Sequence, residues 1–441
     1  MPDTLQARRW FFWLLAGTTL LKLVLAAGIP ITGDEAYFVL WGHHPALGYY
    51  DHPPMVGWWL AAMLQVSDAL WWLRLPAILV TAAVGAGLVW LLHDIDARIA
   101  WLTGALYLAS PLAVLNFVIT TDTPVILFIF LSAACFWQGV VRERLIWFAA
   151  AGLFLGLGLL SKYFAGLLAL AYIGWWFFDR RKGWLLLGLL LVGLVSAALF
   201  AINLWWNYQH CWDNFMFNFI NRNSSPVPWY TPFLYLLTLV YVLTPPVAWY
   251  VLRRRGTEAV GPPLARRVLA VLAGIPLALL GLLSLGKIVG IHWLLGFHAL
   301  ALGWFALARG ARPLWASLRF DLWFTLLHVL LVAAVVVMVR LPQLTLPQDA
   351  ELRHRLVDAL QGPQLWQAVA PLAGDRHIFM HSYAGAAEMS YHAHRHIGVF
   401  GEGSYHARED DRMTDFRALD GQDFLIILNR HHDPAEYAPF F

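Results

Sequence analysis

Residues 10–28 read WFFWLLAGTTLLKLVLAAG, and after a four-residue join the chain continues, at 33–54, as GDEAYFVLWGHHPALGYYDHPP. The first stretch is apolar over almost the ~20 residues that a helix needs to cross a bilayer core. It lacks a small-residue cleavage site and is followed by many similar runs, so it reads as a retained helix. The second stretch is its opposite. Asp34, Glu35 and Asp51 sit there among His43, His44, His52 and a set of aromatics, and no Lys or Arg occurs between Leu23 and Leu73. Carboxylates at the mouth of a span, with every fixed positive charge excluded, require an explanation.

The rest of the chain extends the first observation. Of 441 residues 60% are hydrophobic and 13% charged, with a mean hydropathy of +0.61, whereas a soluble domain carries about 25% charge. Apolar runs separated by charge or turn residues suggest eleven spans, at 10–28, 69–92, 99–117, 124–141, 145–160, 163–178, 184–205, 232–252, 268–285, 291–308 and 322–339. The chain is expected to be an α-helical polytopic membrane protein. Cys135 and Cys211 adjoin apolar segments and imply no disulfide framework. The net charge of +3 says little beside where the charge lies.

Alternating the loops gathers most of the Lys and Arg on one side, among them Arg8, Arg9, Arg142, Arg144, Arg253, Arg266 and Arg319. Positively charged loops stay cytoplasmic. The N-terminus is therefore expected inside, and the acidic segment 29–68 outside, in the periplasm of a Gram-negative cell. Beyond residue 340 the composition changes: residues 341–441 hold 14 of the 27 acids, and RHIFMH, HIGVFG and DFLIILN read as short strands. We expect a membrane domain over 1–340 and a small extracytoplasmic α/β domain over 341–441. In SYHAHRH, His392, His394 and His396 alternate as on a strand, which suits either a surface or a metal.

The external acids and the scarce external cations, including Arg74, Lys162, Arg222 and Lys287, cluster at the mouths of spans. Ionisable groups at membrane depth usually face a cavity and serve a function. A carboxylate can take the proton of an attacking hydroxyl, and cations stabilise a departing phosphate. Both ends in one pocket would suit transfer of a sugar from a lipid phosphate, with Trp41, Tyr49 and Tyr50 against the sugar or at the membrane interface. Each residue also has a plainer reading. Asp34 after Gly33 and Asp122 in TTDTP could cap helices, Lys162 could snorkel to the interface, and Trp and Tyr at span ends are commonly interfacial anchors.

The ordered motifs DE, YYDHPPMVGWW, TDTP, GLGLLSKY, NLWWNYQHCWDNFMFN and IHWLLGF resemble the bacterial GT-C glycosyltransferases of the protein O-mannosyltransferase-like superfamily. Within it they are similar to the branch of lipid A and core galacturonosyltransferases, and more distantly to the aminoarabinose transferase of lipid A. The run AREDDRMTDFRALDG at 407–421 also has the look of this group.

The resemblance implies a GT-C membrane enzyme. It would move one sugar from a polyprenyl-phosphate donor to an envelope glycolipid, or to a protein, at the outer face of the inner membrane. It implies Asp34, with Glu35 beside it, and Asp122 as the catalytic acids, and Lys162 at the donor phosphate. His52, Arg222, Lys287 and His292 would supply further positive charge there. One departure stands out: relatives such as the aminoarabinose transferase have a lysine before the Pro-Pro pair, where this chain has Asp51 and His52. His52 would then take over the phosphate contact, or Asp51 would bind the acceptor or sugar, or a metal. The expected mechanism is in-line displacement with inversion, Asp34 acting as base. A divalent metal on Asp34 and Asp122 is compatible with it but not required, membrane lipids surround the site, and no nucleic acid is involved. A transporter or flippase for lipid-linked sugars is the rival reading, which a cavity open to both membrane faces would favour. A glycan ligase or a glycolipid hydrolase would use similar residues.

Overall fold

The computed structural model describes residues 1–179, 181–220, 228–253, 258–340, 362–400, 408–428 and 435. Every predicted span is found as helix, straight or broken, and among the described residues seven helices are long and apolar enough to cross a membrane. The centre of the bundle is Asp122–Arg142: 83% of its apolar window is buried, against 11% for Ala311–Val337 at the edge. Asp122–Arg142 packs on the apolar helix Leu145–Leu159 and on Leu295–Arg309.

 Of the remaining predicted spans, Leu145–Leu159 and Tyr163–Phe178 are short helical segments, and the other two are broken at prolines. The span expected at 99–117 stops at Ser110, which Pro111 forces into extended backbone, and resumes as Pro111–Leu115. The span expected at 232–252 is two helices, Thr231–Leu243 and Pro245–Leu252, bent by 104°. Pro245 and Pro246 remove two backbone donors there, and Thr244 takes a positive φ of 68°.

The segment 29–68, expected as a loop, contains the helices Gly33–His43 and Met55–Leu64. They enclose a small core of Tyr37, Trp41, Tyr49, Val56 and Leu60 above the bundle.

In the tail, the three apolar runs do form strands: β1 (His377–Met380), β2 (Gly398–Val399) and β3 (Phe424–Ile427). They make a parallel sheet in the order β2-β1-β3, with Phe379 opposite both Gly398 and Ile426. SYHAHRH is not a strand. His392 lies in the last turn of the helix Tyr383–Ala393, and His394 is its left-handed cap with φ 50°. Among the described residues, no three His, Cys, Asp or Glu side chains are placed to hold a metal. Helix Tyr383–Ala393 lies on helix Gly33–His43 so closely that a Cβ on Gly33 would stand 2.8 Å from the Cβ of Ala384.

Candidate active site

Neighbouring residues of a helix point about 100° apart, and this separates Asp34 from Glu35. Thr32, not Asp34, is the N-cap of Gly33–His43, and Glu35 closes the capping box by returning to the Thr32 backbone. Glu35 therefore turns inward and is fully buried. Its two oxygens accept from Arg74 Nε and Nη2 at 2.8 and 2.6 Å, and Oε1 also accepts the Ile119 N–H. Arg74 donates in addition to the carbonyls of Ala26, Ile29 and Pro30. The pair ties the end of the first span to the external helix. Asp34, one position earlier, is left facing the cavity described below.

Asp122 does not cap its helix with its side chain. Its carboxylate accepts Lys162 Nζ at 2.8 and 2.9 Å. Lys162 is 7% exposed and so does not snorkel. It reaches Asp122 because helix Leu145–Leu159 ends just before it, and Lys162 itself is extended, with φ −164° and ψ 136°. The Met55 N–H donates to Leu160 O beside this break, docking the external segment onto it.

These groups share a cavity of about 430 Å3. Six residues expected at the site line it: Asp34, Asp51, His52, Asp122, Lys162 and His292. Leu112, Leu115, Ile291 and Leu295 give it an apolar wall. Others expected there do not line it. Glu35 is held by Arg74. Trp41 and Tyr49 stack on each other at 4.3 Å inside the external core, where the Tyr49 hydroxyl donates to Trp41 O. Tyr50 gives its backbone N–H to Glu409 and sets its ring against Phe217. Lys287 lies over the Trp293 ring at 5.7 Å. Arg222 falls outside the described residues. The aromatics of the opening stretch are mostly packing residues, which is also why a Cβ on Gly57 would collide with Tyr49.

The tail supplies lining residues that the sequence reading missed. The Tyr383 hydroxyl donates to Asp34 Oδ1 at 3.1 Å. Burial pushes that phenol up to about 12, so it keeps the proton it donates. Arg408 Nη1 donates to Asp51 Oδ2 at 2.8 Å, and its guanidinium lies 3.8 Å from the Tyr383 ring centre. Beside it, Glu409 accepts the Tyr50 N–H at 2.6 Å, and the Glu409 N–H donates to the Tyr37 hydroxyl. The signal was the run at 407–421, which holds Arg408 and Glu409. The motif at 203–218 has a role of its own: Asn203, Asn214 and Asn218 donate to the backbone carbonyls of Leu47, Tyr49 and Asp51, fixing the path of the external segment.

Three comparisons bear on this arrangement. The family model described as dolichyl-phosphate-mannose-protein mannosyltransferase matches residues 51–206. The lipid A galacturonosyltransferase RgtD of Rhizobium johnstonii is 31% identical over 188 residues, a stretch covering 40% of this chain and 38% of that protein. Crystal structures of ArnT from Cupriavidus metallidurans superpose over 98% of this chain and 94% of theirs. The apo form gives a TM-score of 0.64 at 16% identity, and the form bound to undecaprenyl phosphate gives 0.66 at 15%. The resemblance read from the ordered motifs is borne out at the level of architecture. This chain has the ArnT-like GT-C fold, a helical membrane bundle carrying a small three-stranded tail.

Proposed function

We propose that the chain is an integral-membrane glycosyltransferase that moves a single sugar from a polyprenyl-phosphate donor to an envelope glycolipid. The observation that carries this reading is the convergence of Asp34, the Asp122–Lys162 pair and His292 on one cavity at the mouth of the bundle. Asp34 takes the proton of the acceptor hydroxyl as its oxygen bonds to the anomeric carbon. The bond from that carbon to the phosphate oxygen breaks on the opposite face, and the phosphate leaves with the electron pair. Lys162, held in place by Asp122, meets the growing negative charge. Attack and departure on opposite faces invert the anomeric centre. A divalent metal is not needed for any of these steps.

The relatives agree with this chemistry: one is a lipid A galacturonosyltransferase, and the ArnT structure holds undecaprenyl phosphate. The excess of Lys and Arg on the opposite loops orients the site towards the outside of a bacterial inner membrane, with residues 341–441 as an external domain over it. Transport is less well supported. The helix Asp122–Arg142 has Asp122 in this cavity and Arg142 in another hollow, which also includes His93, Asp94 and Gln138. The two ends of that helix are about 30 Å apart, and the two hollows share no lining residue.

The test is mass spectrometry of envelope lipids from cells with and without the protein, followed by transfer with purified protein and a polyprenyl-phosphate sugar. A glycolipid one sugar heavier, formed only with acceptor present, is expected. Sugar released equally well without acceptor would make the protein a hydrolase instead.

A further inference from the structure

The external segment brings carboxylates to the cavity and no fixed cation of its own. Asp34 and Asp51 both line it, and an anionic substrate group entering on that side would meet like charge. Arg408 changes this balance from a part of the chain more than 350 residues away. Its guanidinium donates through Nη1 to Asp51 and lies over two aromatic rings, 3.8 Å from the Tyr383 ring centre and 5.4 Å from that of Phe217. Asp51 is almost wholly buried, whereas the Arg408 side chain is 22% exposed. A guanidinium carries five donors in a rigid fork that matches the two oxygens of a phosphate or a carboxylate.

The backbone supports the same conclusion. Arg408 has φ 52°, in the left-handed region that a long side chain seldom occupies. Such a conformation persists where surrounding contacts over-determine it, commonly at a ligand clamp. Here the contacts are the Asp51 pair, the two rings, and the neighbouring Glu409, bonded to Tyr50 and Tyr37. Lys162, bonded to both Asp122 oxygens, acts from the membrane bundle, whereas Arg408 acts from the side of the external segment.

We propose that Arg408 is a substrate-binding residue of this cavity, and that it grips an oxyanion of the substrate, phosphate or sugar carboxylate, by releasing Asp51 to receive it. The inference rests on the glycosyltransferase reading of the cavity and adds to it a binding group from the tail. Asp51 is then a placeholder, keeping the guanidinium aimed at the cavity while no substrate is bound.

The experiment uses the full chain in lipid nanodiscs and measures binding of three probes: undecaprenyl phosphate, the same lipid carrying a neutral hexose, and the same lipid carrying a hexuronic acid. Arg408→Gln is expected to weaken binding about tenfold or more, the worth of a lost charge-assisted hydrogen bond. A loss on all three probes identifies phosphate as the bound group; a loss confined to the hexuronic acid lipid identifies the carboxylate. Arg408→Lys keeps a positive charge on Asp51 but not the fork, and is expected to lose affinity without a drop in unfolding temperature. Unchanged affinity for all three probes in a folded Arg408→Gln, or in Arg408→Lys if the first variant unfolds, overturns the inference. Wild-type protein that binds none of the probes overturns the glycosyltransferase reading as well, so the two failures are distinguishable.

Discussion

Glu35 and Arg74 form a two-oxygen ion pair with no exposure on either side chain, one residue along the helix from the Asp34 that faces the cavity. Adjacent carboxylates thus have separate tasks. Removing one partner of a fully buried pair strands the other charge and costs about 3–5 kcal/mol. Glu35→Gln is therefore expected to lower the unfolding temperature markedly. Asp34→Asn should leave it nearly unchanged while abolishing transfer. Thermal unfolding followed beside an activity assay separates the two, and a stable, inactive Glu35→Gln would return that residue to the chemistry.

Lys162 and Asp122 make a second pair, this one inside the cavity. Residues in direct contact are non-additive by about 0.5–3 kcal/mol. Lys162→Ala is expected to weaken donor binding far more than acceptor binding, and Asp122→Asn to follow it more mildly. Adding Asp122→Asn to Lys162→Ala should do little further harm, since the carboxylate then has no ammonium to hold. Donor and acceptor KM values for the two single variants and the double check this. Full additivity would mean that the two residues act independently.

The legibility of the chain followed physical range. Spans were readable because crossing a bilayer demands a continuous apolar run, and the three tail strands because short apolar runs bounded by polar residues are local signals. Asp122 and Lys162 stood out because charge at a span mouth is rare. What the sequence hid was long-range. Nothing local says that Glu35 meets Arg74, 39 residues on, or that Tyr383 and Arg408 meet Asp34 and Asp51, 349 and 357 positions earlier, in one cavity. The aromatics misled for a related reason, since Trp41 stacked on Tyr49 and either ring set against a sugar look identical in one dimension.

The contact of Gly33 with Ala384 gives a test of tail docking that leaves every charged group in place. A methyl on Gly33 would sit 2.8 Å from the Ala384 Cβ and 3.3 Å from its backbone, closer than side chains pack. Overpacking of this kind costs typically about 1–3 kcal/mol. Gly33→Ala is expected to loosen the tail and raise its sensitivity to protease, and Ala384→Gly to restore it in the double variant. An unaffected single variant would show that the two helices are not pressed together as the distance requires.

Glu409 gives the docked tail a pH dependence. Burial pushes its carboxyl up to about 7 from an ordinary 4.5, against the opposing pull of Arg412 and the Tyr50 N–H and with a further push from Asp51. The folded state therefore holds a proton that the unfolded chain has released between those values. The associated stability is fully present below pH 4.5, falls as pH rises towards 7, and stays lost above it. Protonated Glu409 can still accept the Tyr50 N–H, so the contact itself survives at acid pH. Stability measured from pH 5 to pH 8 is expected to decline for the wild type and to decline less steeply for Glu409→Gln, which carries no charge to bury. Parallel curves for the two proteins would mean that Glu409 ionises as freely in the folded chain as in the unfolded one.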